Sequence, residues 1–340
     1  MASKVEEAPS TATKSLETTP TLIARILGNQ QFLLLIAFVI LVAFFTTRNS
    51  VFLSNGEFGN ILADFSSLVL MAVGETYVIA TGGIDLSVGA TAGFAGVIAA
   101  FVMRDAGLKN EMFTLLIGLV VCIAVGAIVG LVNAILMNYA GLVPFVATLV
   151  TLGAAGGLSI VLTGGAPIGN DSQAIQTTVS VIGPFSYPVL IVIAITVIAG
   201  LFLHTSRFGR YTFSIGSNEF ASRAAGINVK RHLTKVYMLS GVLAGLTGMF
   251  FYLRLGSGAP TSGSGAELSA IAAVVIGGAS LSGGSARLSG TVLGGLILTT
   301  VTSGLIIMNV APNWNQVAVA ILIAVAAGFQ AIKPKSRRKP

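Results

Sequence analysis

Apolar positions in this chain fall in long unbroken blocks rather than in the period-two alternation of strands or the one-sided stripe of soluble helices. A window of about twenty residues, the length an α-helix needs to cross a bilayer, picks out ten blocks: 32–47, 60–81, 86–104, 113–139, 142–163, 187–205, 234–256, 266–283, 288–309 and 314–331. The first is short and extends back toward Leu27. The third and eighth are interrupted by Gly and Ser and are expected as half-helices or re-entrant segments, which membranes tolerate only where irregular backbone is buried in protein or lines a cavity. The pattern predicts an all-α polytopic membrane protein with about ten transmembrane helices. Residues 1–28 are polar and carry Pro9 and Pro20, which predicts a disordered tail. That polar stretch is too long for a cleaved signal peptide, and no small-residue cleavage site follows Phe45. Residues 29–332 form the membrane domain, and 333–340 a basic tail.

Composition agrees. Hydrophobic residues make up 54% of the chain and charged residues 9%, with a mean hydropathy of +0.90; soluble domains carry about 25% charged residues. The 41 glycines suit helices whose backbones approach closely. The net charge of +7 does not mark a nucleic-acid partner, because the basic residues sit beside apolar blocks. Six of them (Arg207, Arg210, Arg223, Lys230, Arg231, Lys235) follow the sixth block and five (Lys333, Lys335, Arg337, Arg338, Lys339) follow the tenth. Positive residues stay on the cytoplasmic side, and an even number of spans separates the two clusters. Both segments and the N-terminus are therefore expected in the cytoplasm, with Glu57, Asp105, Glu111 and Asp171 outside. The single cysteine, Cys122, and the two histidines, His204 and His232, make neither a disulfide nor a metal cluster. No Gly-Lys dipeptide occurs, so the phosphate-cradling G-x-x-x-x-G-K-[ST] loop is absent.

The polar island 206–233 has readable local chemistry. Ser217 or Asn218 can cap a short helix, Glu219 favours its positive end, and Gly226 can close it in a left-handed turn. The helix would run over 219–225 and present Phe220 with the small residues Ala221, Ala224 and Ala225. Docking into a partner's groove and an ordinary capped, positively charged loop are equally supported at this level.

Polar residues inside apolar blocks are functional candidates by default. Asp64 and Glu75 are eleven residues apart, about three helical turns, and are expected on one face with Tyr77 nearby. Facing water, the two carboxylates could hydrogen-bond a polar solute; near a boundary, they would pair with Asn133 or serines of neighbouring spans. Asp85 follows Gly82 and Gly83, which break one helix, and reads first as a cap for the next, alternatively as part of a hinge. Residues 277–284, GGASLSGG, echo 82–89, GGIDLSVG, at five of eight positions, so Gly277 and Gly278 are a second hinge candidate. Glu267 reads as a helix-start acid, and Pro144 with Phe145 as the start or a kink of the fifth span. Asn133, Asn138, Thr148 and Thr151 either line a polar route or act as interhelical glue.

Four long segments then carry a resemblance: GETYVIATGGIDLSVGA (74–90), GLVPFVATLVTLGAAGGL (141–158), GSNEFASRAAGINVKRHLTKVYMLSGVLAGLTG (216–248) and ELSAIAAVVIGGASLSGGSARLSGTVLGG (267–295). In this order they resemble ABC-importer permeases of the ribose/monosaccharide type, over roughly residues 60–329. The resemblance implies a type II-like permease bundle in a bacterial inner membrane. It implies a separate ATP-binding subunit that holds ATP and Mg²⁺, an extracytoplasmic sugar-binding protein, and a second permease chain, identical or not. No cofactor, metal or catalysis is implied in this chain. The island would be the coupling loop that docks on the ATPase, with Asn218, Glu219, Phe220, Ala221, Arg223, Ala225 and Gly226 as its contact residues. Glu75, Tyr77, Asp85, Asn133, Phe145 and Thr148 become candidates for the substrate pathway. Two other readings stay open: a branched-chain amino-acid or nucleoside permease of similar architecture, and an ion-coupled secondary transporter using Asp64 and Glu75 as a relay.

Overall fold

A computed structural model describes residues 30–105, 111–169, 181–182, 185–311 and 313–332. Both tails and Asp171 lie outside the described residues. Among the described residues twelve α-helices follow in order: α1 (Gln30–Arg48), α2 (Asn55–Ala80), α3 (Val88–Asp105), α4 (Glu111–Asn138), α5 (Pro144–Thr163), α6 (Tyr187–Thr205), α7 (Arg207–Ser217), α8 (Glu219–Ala224), α9 (Val229–Leu255), α10 (Ala266–Ile276), α11 (Leu288–Ile307) and α12 (Asn313–Ile332). Each of the ten apolar blocks coincides with one helix. Among the described residues, eight helices are long and apolar enough to cross a membrane.

The bundle is built around α2, whose inner half from Val69 to Ala80 is buried without interruption. Glycine sets the spacing of its neighbours. A Cβ on Gly126 of α4 would lie 2.0 Å from the Gly241 carbonyl oxygen of α9, and one on Gly245 would lie 2.1 Å from that of Cys122. At such distances the two backbones touch, which is how small residues substitute for a hydrophobic driving force inside lipid. The lipid-compatible outer faces of α4, α5 and α6 expose Val120, Val161 and Ile198.

The weak third and eighth blocks resolve differently. The third is a continuous 18-residue helix, α3. The eighth is a true half-helix: α10 spans 11 residues, about 16 Å at 1.5 Å per residue. It is preceded by a stretch without helical structure, 256–265, that runs back into the bundle alongside α3. Gly258 abuts Gly96 and Val97 near the middle of α3, and Gly263 abuts Gly89 at its start. Gly265, with φ +80, turns that stretch into α10.

The structure adds elements the hydropathy pattern did not predict. Among the described residues, four two-residue strands form two small antiparallel ladders: β1 (Ile168–Gly169) with β4 (Ser257–Gly258), and β2 (Val181–Ile182) with β3 (Phe185–Ser186). Pro144 occupies the first turn of α5, so it starts that helix rather than kinking it, as its fixed φ and missing N–H allow. The α7 helix was unforeseen. Ser206 caps it by accepting from Gly209 N–H, and Gly209, Thr212 and Ile215 face inward while Arg207, Arg210 and Tyr211 face out. That is an amphipathic pattern, too polar for a window tuned to membrane spans.

Candidate functional site

At one end of the bundle, α7 turns through Asn218 into α8. The Asn218 carboxamide oxygen accepts from the Ala221 N–H at 2.9 Å, satisfying one of the orphan donors of a helix start. Glu219 in the first turn pairs with Arg223 one turn later, its Oε1 accepting from Arg223 Nε at 3.0 Å. The helix closes at Gly226, φ +82, with the Ile227 N–H donating to the Ser222 carbonyl and the Gly226 N–H to that of Arg223, a Schellman-type cap. Only Ser222 of α8 is buried, and its hydroxyl meets that of Ser214 on α7 at 2.8 Å. The rest of the helix points out. Ala221, Ala224 and Ala225 are exposed, and Phe220 is 87% exposed. The Phe220 benzyl group is thus held nearly free of its own protein, on a helix pinned at both ends.

Behind this helix lies a three-way joint. The last residues of α7 insert between the end of α2 and the loop joining α10 to α11. Gly284 N–H donates to the Ala80 carbonyl at 3.0 Å. A Cβ on Gly283 would lie within 2.9 Å of the Gly216 carbonyl oxygen and of the Gly82 backbone. The two glycine-rich echoes thus meet here, against α7. Their caps are not in the register the sequence echo suggested. The positive φ falls on Gly82 in the first and on Gly278 in the second, the first and second glycines of their pairs. The other member of each pair serves close approach instead: a Cβ on Gly83 would lie 2.3 Å from the Tyr237 hydroxyl, and one on Gly277 2.4 Å from the Gly290 backbone.

Deeper in, buried polar groups form one connected network. Asp85 Oδ1 accepts from the Ser87 N–H at 2.9 Å and hydroxyl at 2.6 Å, and Oδ2 accepts from Ser240 at 2.9 Å. Glu75 Oε1 accepts from the Asp85 N–H at 3.1 Å. Asn133 donates to Ser87 Oγ at 2.9 Å and accepts from Thr151 at 2.5 Å, and Thr148 donates to the Ile84 carbonyl at 3.3 Å. The network ties α2, the 81–87 loop, α4, α5 and α9 together at membrane depth, where an unmade hydrogen bond is costly.

Several expectations take a different form. Asp85 caps by binding Ser87 two residues on, and in addition anchors α9 through Ser240. Tyr77 is fully buried and donates to the Ala199 carbonyl of α6 at 2.6 Å, so its hydroxyl joins two helices. Asn133, Thr148 and Thr151 are interhelical ties in this network, and Asn138 bonds the Lys230 carbonyl and the Thr234 hydroxyl of α9. Phe145, half exposed, stands at the bundle surface. Asp64 and Glu75 have different partners: Asp64 pairs with Arg254 of α9 at 2.9 Å, while Glu75 accepts from the Asp85 amide. Sequence reasoning overlooked Arg254 because it ends the seventh block, where a basic residue reads as a boundary marker.

Comparison with known proteins agrees with this architecture. A family model described as branched-chain amino acid transport system / permease component matches residues 58–327. The chain is 36% identical over 300 residues to the ribose import permease protein RbsC of Escherichia coli (strain K12), an alignment covering 86% of this chain and 91% of that protein. It is 32% identical over 312 residues to the galactose/methyl galactoside import permease protein MglC of the same strain, covering 88% and 93%. It is also 37% identical over 293 residues to the probable ABC transporter permease protein y4mJ of Sinorhizobium fredii, covering 85% and 86%.

Proposed function

Since this chain belongs to the branched-chain amino acid transport system permease-component family, we propose that it is the membrane-spanning subunit of an ATP-driven importer for a monosaccharide. The sugar reading is supported by its similarity to import permeases for ribose and for galactose and methyl galactoside. The complete transporter pairs two permease chains with an ATP-binding subunit, which binds ATP and Mg²⁺, and receives sugar from an extracytoplasmic binding protein. This chain carries out no covalent chemistry.

The observation that carries the mechanism is Phe220, displayed on a capped helix whose root sits in the three-way joint. When the ATP-binding subunits close, they push on α8. Because Gly216 is wedged against both Ala80 and Gly284, a displacement of α7 must move the ends of α2 and of the α10–α11 loop together. Packed joints of this kind transmit motion because they have few intermediate arrangements. The permease then alternates between outward and inward access. The α8 end faces the cytoplasm by its basic residues. The start of α1 lies at the same end, since Gln31 donates to Ser289 at 2.6 Å and Ser289 adjoins the α10–α11 loop. That supports a cytoplasmic N-terminus, and the basic segment 333–340 supports the same side for the C-terminus.

An ion relay through Asp64 and Glu75 has no support in the geometry, since Arg254 neutralises the first and the second is bound to the Asp85 amide. The test is uptake by the reconstituted complex of permease, ATP-binding subunit and binding protein. ATP-dependent accumulation of ribose or galactose that survives collapse of the proton gradient is expected. Uptake by the permease alone, driven by a proton gradient, overturns the proposal.

A further inference from the structure

Three side chains converge at the inner end of α2. Glu75, Asp85 and Tyr237 are each no more than 1% exposed. Glu75 comes from α2, Asp85 from the non-helical 81–87 loop and Tyr237 from α9. The Asp85 N–H donates to Glu75 Oε1 at 3.1 Å, which brings the two acidic residues into electrostatic contact. The Tyr237 hydroxyl packs so tightly on the same loop that a Cβ on Gly83 would collide with it. It lies within electrostatic reach of both carboxylates.

Two observations mark a ligand here. The first is charge. Among the described residues, ion pairs join Arg104 to Asp105, Arg223 to Glu219 and Arg254 to Asp64, and none reaches Glu75 or Asp85. The basic groups of α9 closest to Tyr237 in sequence are turned elsewhere: Lys235 is exposed, and His232 meets the Thr212 hydroxyl at 2.9 Å. A carboxylate taken out of water without a counter-charge is among the most costly groups a fold can bury. The second is a set of orphan atoms. Asp85 engages both of its oxygens with Ser87 and Ser240, but Glu75 Oε2 and the Tyr237 hydroxyl are buried without a hydrogen-bond partner. Thr91, one turn beyond Ser87, carries another buried hydroxyl without one.

The donor set is oxygen alone, which suits hard cations. Because three donors already satisfy Asp85, the uncompensated atom is Glu75 Oε2, and it calls for a single positive charge. Magnesium keeps several waters in a strict octahedron and calcium needs six to eight oxygens; a site sealed from water with few free oxygens suits neither. Non-helical backbone at the break between two helices is also where membrane proteins hold alkali ions, through unwound carbonyls.

We propose that Glu75, Tyr237 and the 81–87 loop hold one dehydrated alkali cation, sodium or potassium. Glu75 Oε2 supplies the charge, the Tyr237 oxygen is a neutral ligand, and the loop supplies carbonyls. Asp85 strengthens the field from behind without giving up its three hydrogen bonds. The ion is held in place rather than passed along. The same loop carries Gly82 of the three-way joint, so the bound ion fixes the shape of that joint where α2 ends.

The test is thermal unfolding of the full-length chain in nanodiscs of neutral phospholipid, in sodium, potassium or N-methyl-D-glucamine chloride at one ionic strength. Sodium or potassium is expected to raise the melting temperature by about 3 °C or more over N-methyl-D-glucamine, with a shift that saturates. The ion that acts at the lower concentration is the resident one. Glu75→Gln keeps the shape and an acceptor for the Asp85 amide but removes the charge, and is expected to abolish the difference between salts. Tyr237→Phe removes only the hydroxyl and should raise the half-saturating concentration about five-fold or more; it decides the matter if Glu75→Gln does not fold. Equal melting in all three salts overturns the proposal, since a proton or water then fills the space. A salt effect that survives unchanged in the variants overturns it as well, because the ion then binds elsewhere.

Discussion

The amide of Gly284 donates to the carbonyl oxygen of Ala80 at 3.0 Å, and Gly216 sits so close over this bond that a Cβ there would lie 2.0 Å from the Ala80 oxygen and 2.5 Å from the Gly284 nitrogen. The ends of three segments more than sixty residues apart in sequence are thereby joined backbone to backbone, immediately behind the exposed α8.

The joint should tolerate no side chain. Gly216→Ala has only backbone to displace, so α7 must shift or the Gly284–Ala80 bond must break. We expect a loss of about 1–3 kcal/mol of stability, as for other overpacked sites, and a fall in uptake larger than the fall in membrane expression. Normal uptake by Gly216→Ala at equal expression shows that the joint does not carry the coupling motion.

Phe220 should behave in the opposite way. Because its ring touches so little of its own chain, Phe220→Ala should leave expression and melting temperature unchanged. If the ring fills a pocket on the ATP-binding subunit, its loss should weaken binding by about 2 kcal/mol, the scale of an interface hot spot, or roughly 30-fold in Kd. Co-purification with the ATP-binding subunit and ATP-driven uptake report it. An undiminished complex assigns Phe220 no docking role.

Gly226 separates conformation from space. Nothing lies within 4 Å of a Cβ added there, yet its φ is +82. Gly226→Val should therefore uncouple α8 through strain alone, whereas Gly226→Asn, a residue that enters the left-handed region readily, should retain most uptake. Equal uptake by the two variants shows that the left-handed cap is dispensable.

Asp85 is the hub of the buried network and accepts three of its hydrogen bonds. Asp85→Ala orphans the Ser87 and Ser240 hydroxyls and the Ser87 N–H, each costing about 1–3 kcal/mol when buried and unsatisfied. We expect severe loss of folded protein. Asp85→Asn keeps an acceptor for Ser87 and should recover part of the yield, measured by fluorescence-detected size-exclusion chromatography. Equal yields would falsify the structural role given to this carboxylate.

Much of the molecule is legible in its sequence because the signals involved are local or additive. Hydropathy sums along the chain, so ten apolar blocks mark ten helices without any knowledge of their neighbours. Asn218 and Gly226 mark the ends of α8 because a cap is made within one turn. Gly and Ser interrupt the third and eighth blocks alike, yet only the eighth gives a short helix. Other facts depend on which helices touch. No local rule pairs Asp64 with Arg254 across 190 positions, separates Asp64 from Glu75, or ties Asn133 to Ser87; these partners are chosen by the depth at which α2, α4 and α9 pack. That depth is set by backbone contact at glycines such as Gly126 and Gly241, whose distance from each other in sequence says nothing of their contact in space. The sequence by itself determined the spans, the basic end and the capped surface helix. Only the tertiary structure decided that α7 wedges beneath the two glycine-rich loops, because the close fit of Gly216 on Ala80 and Gly284 exists only when three distant segments converge.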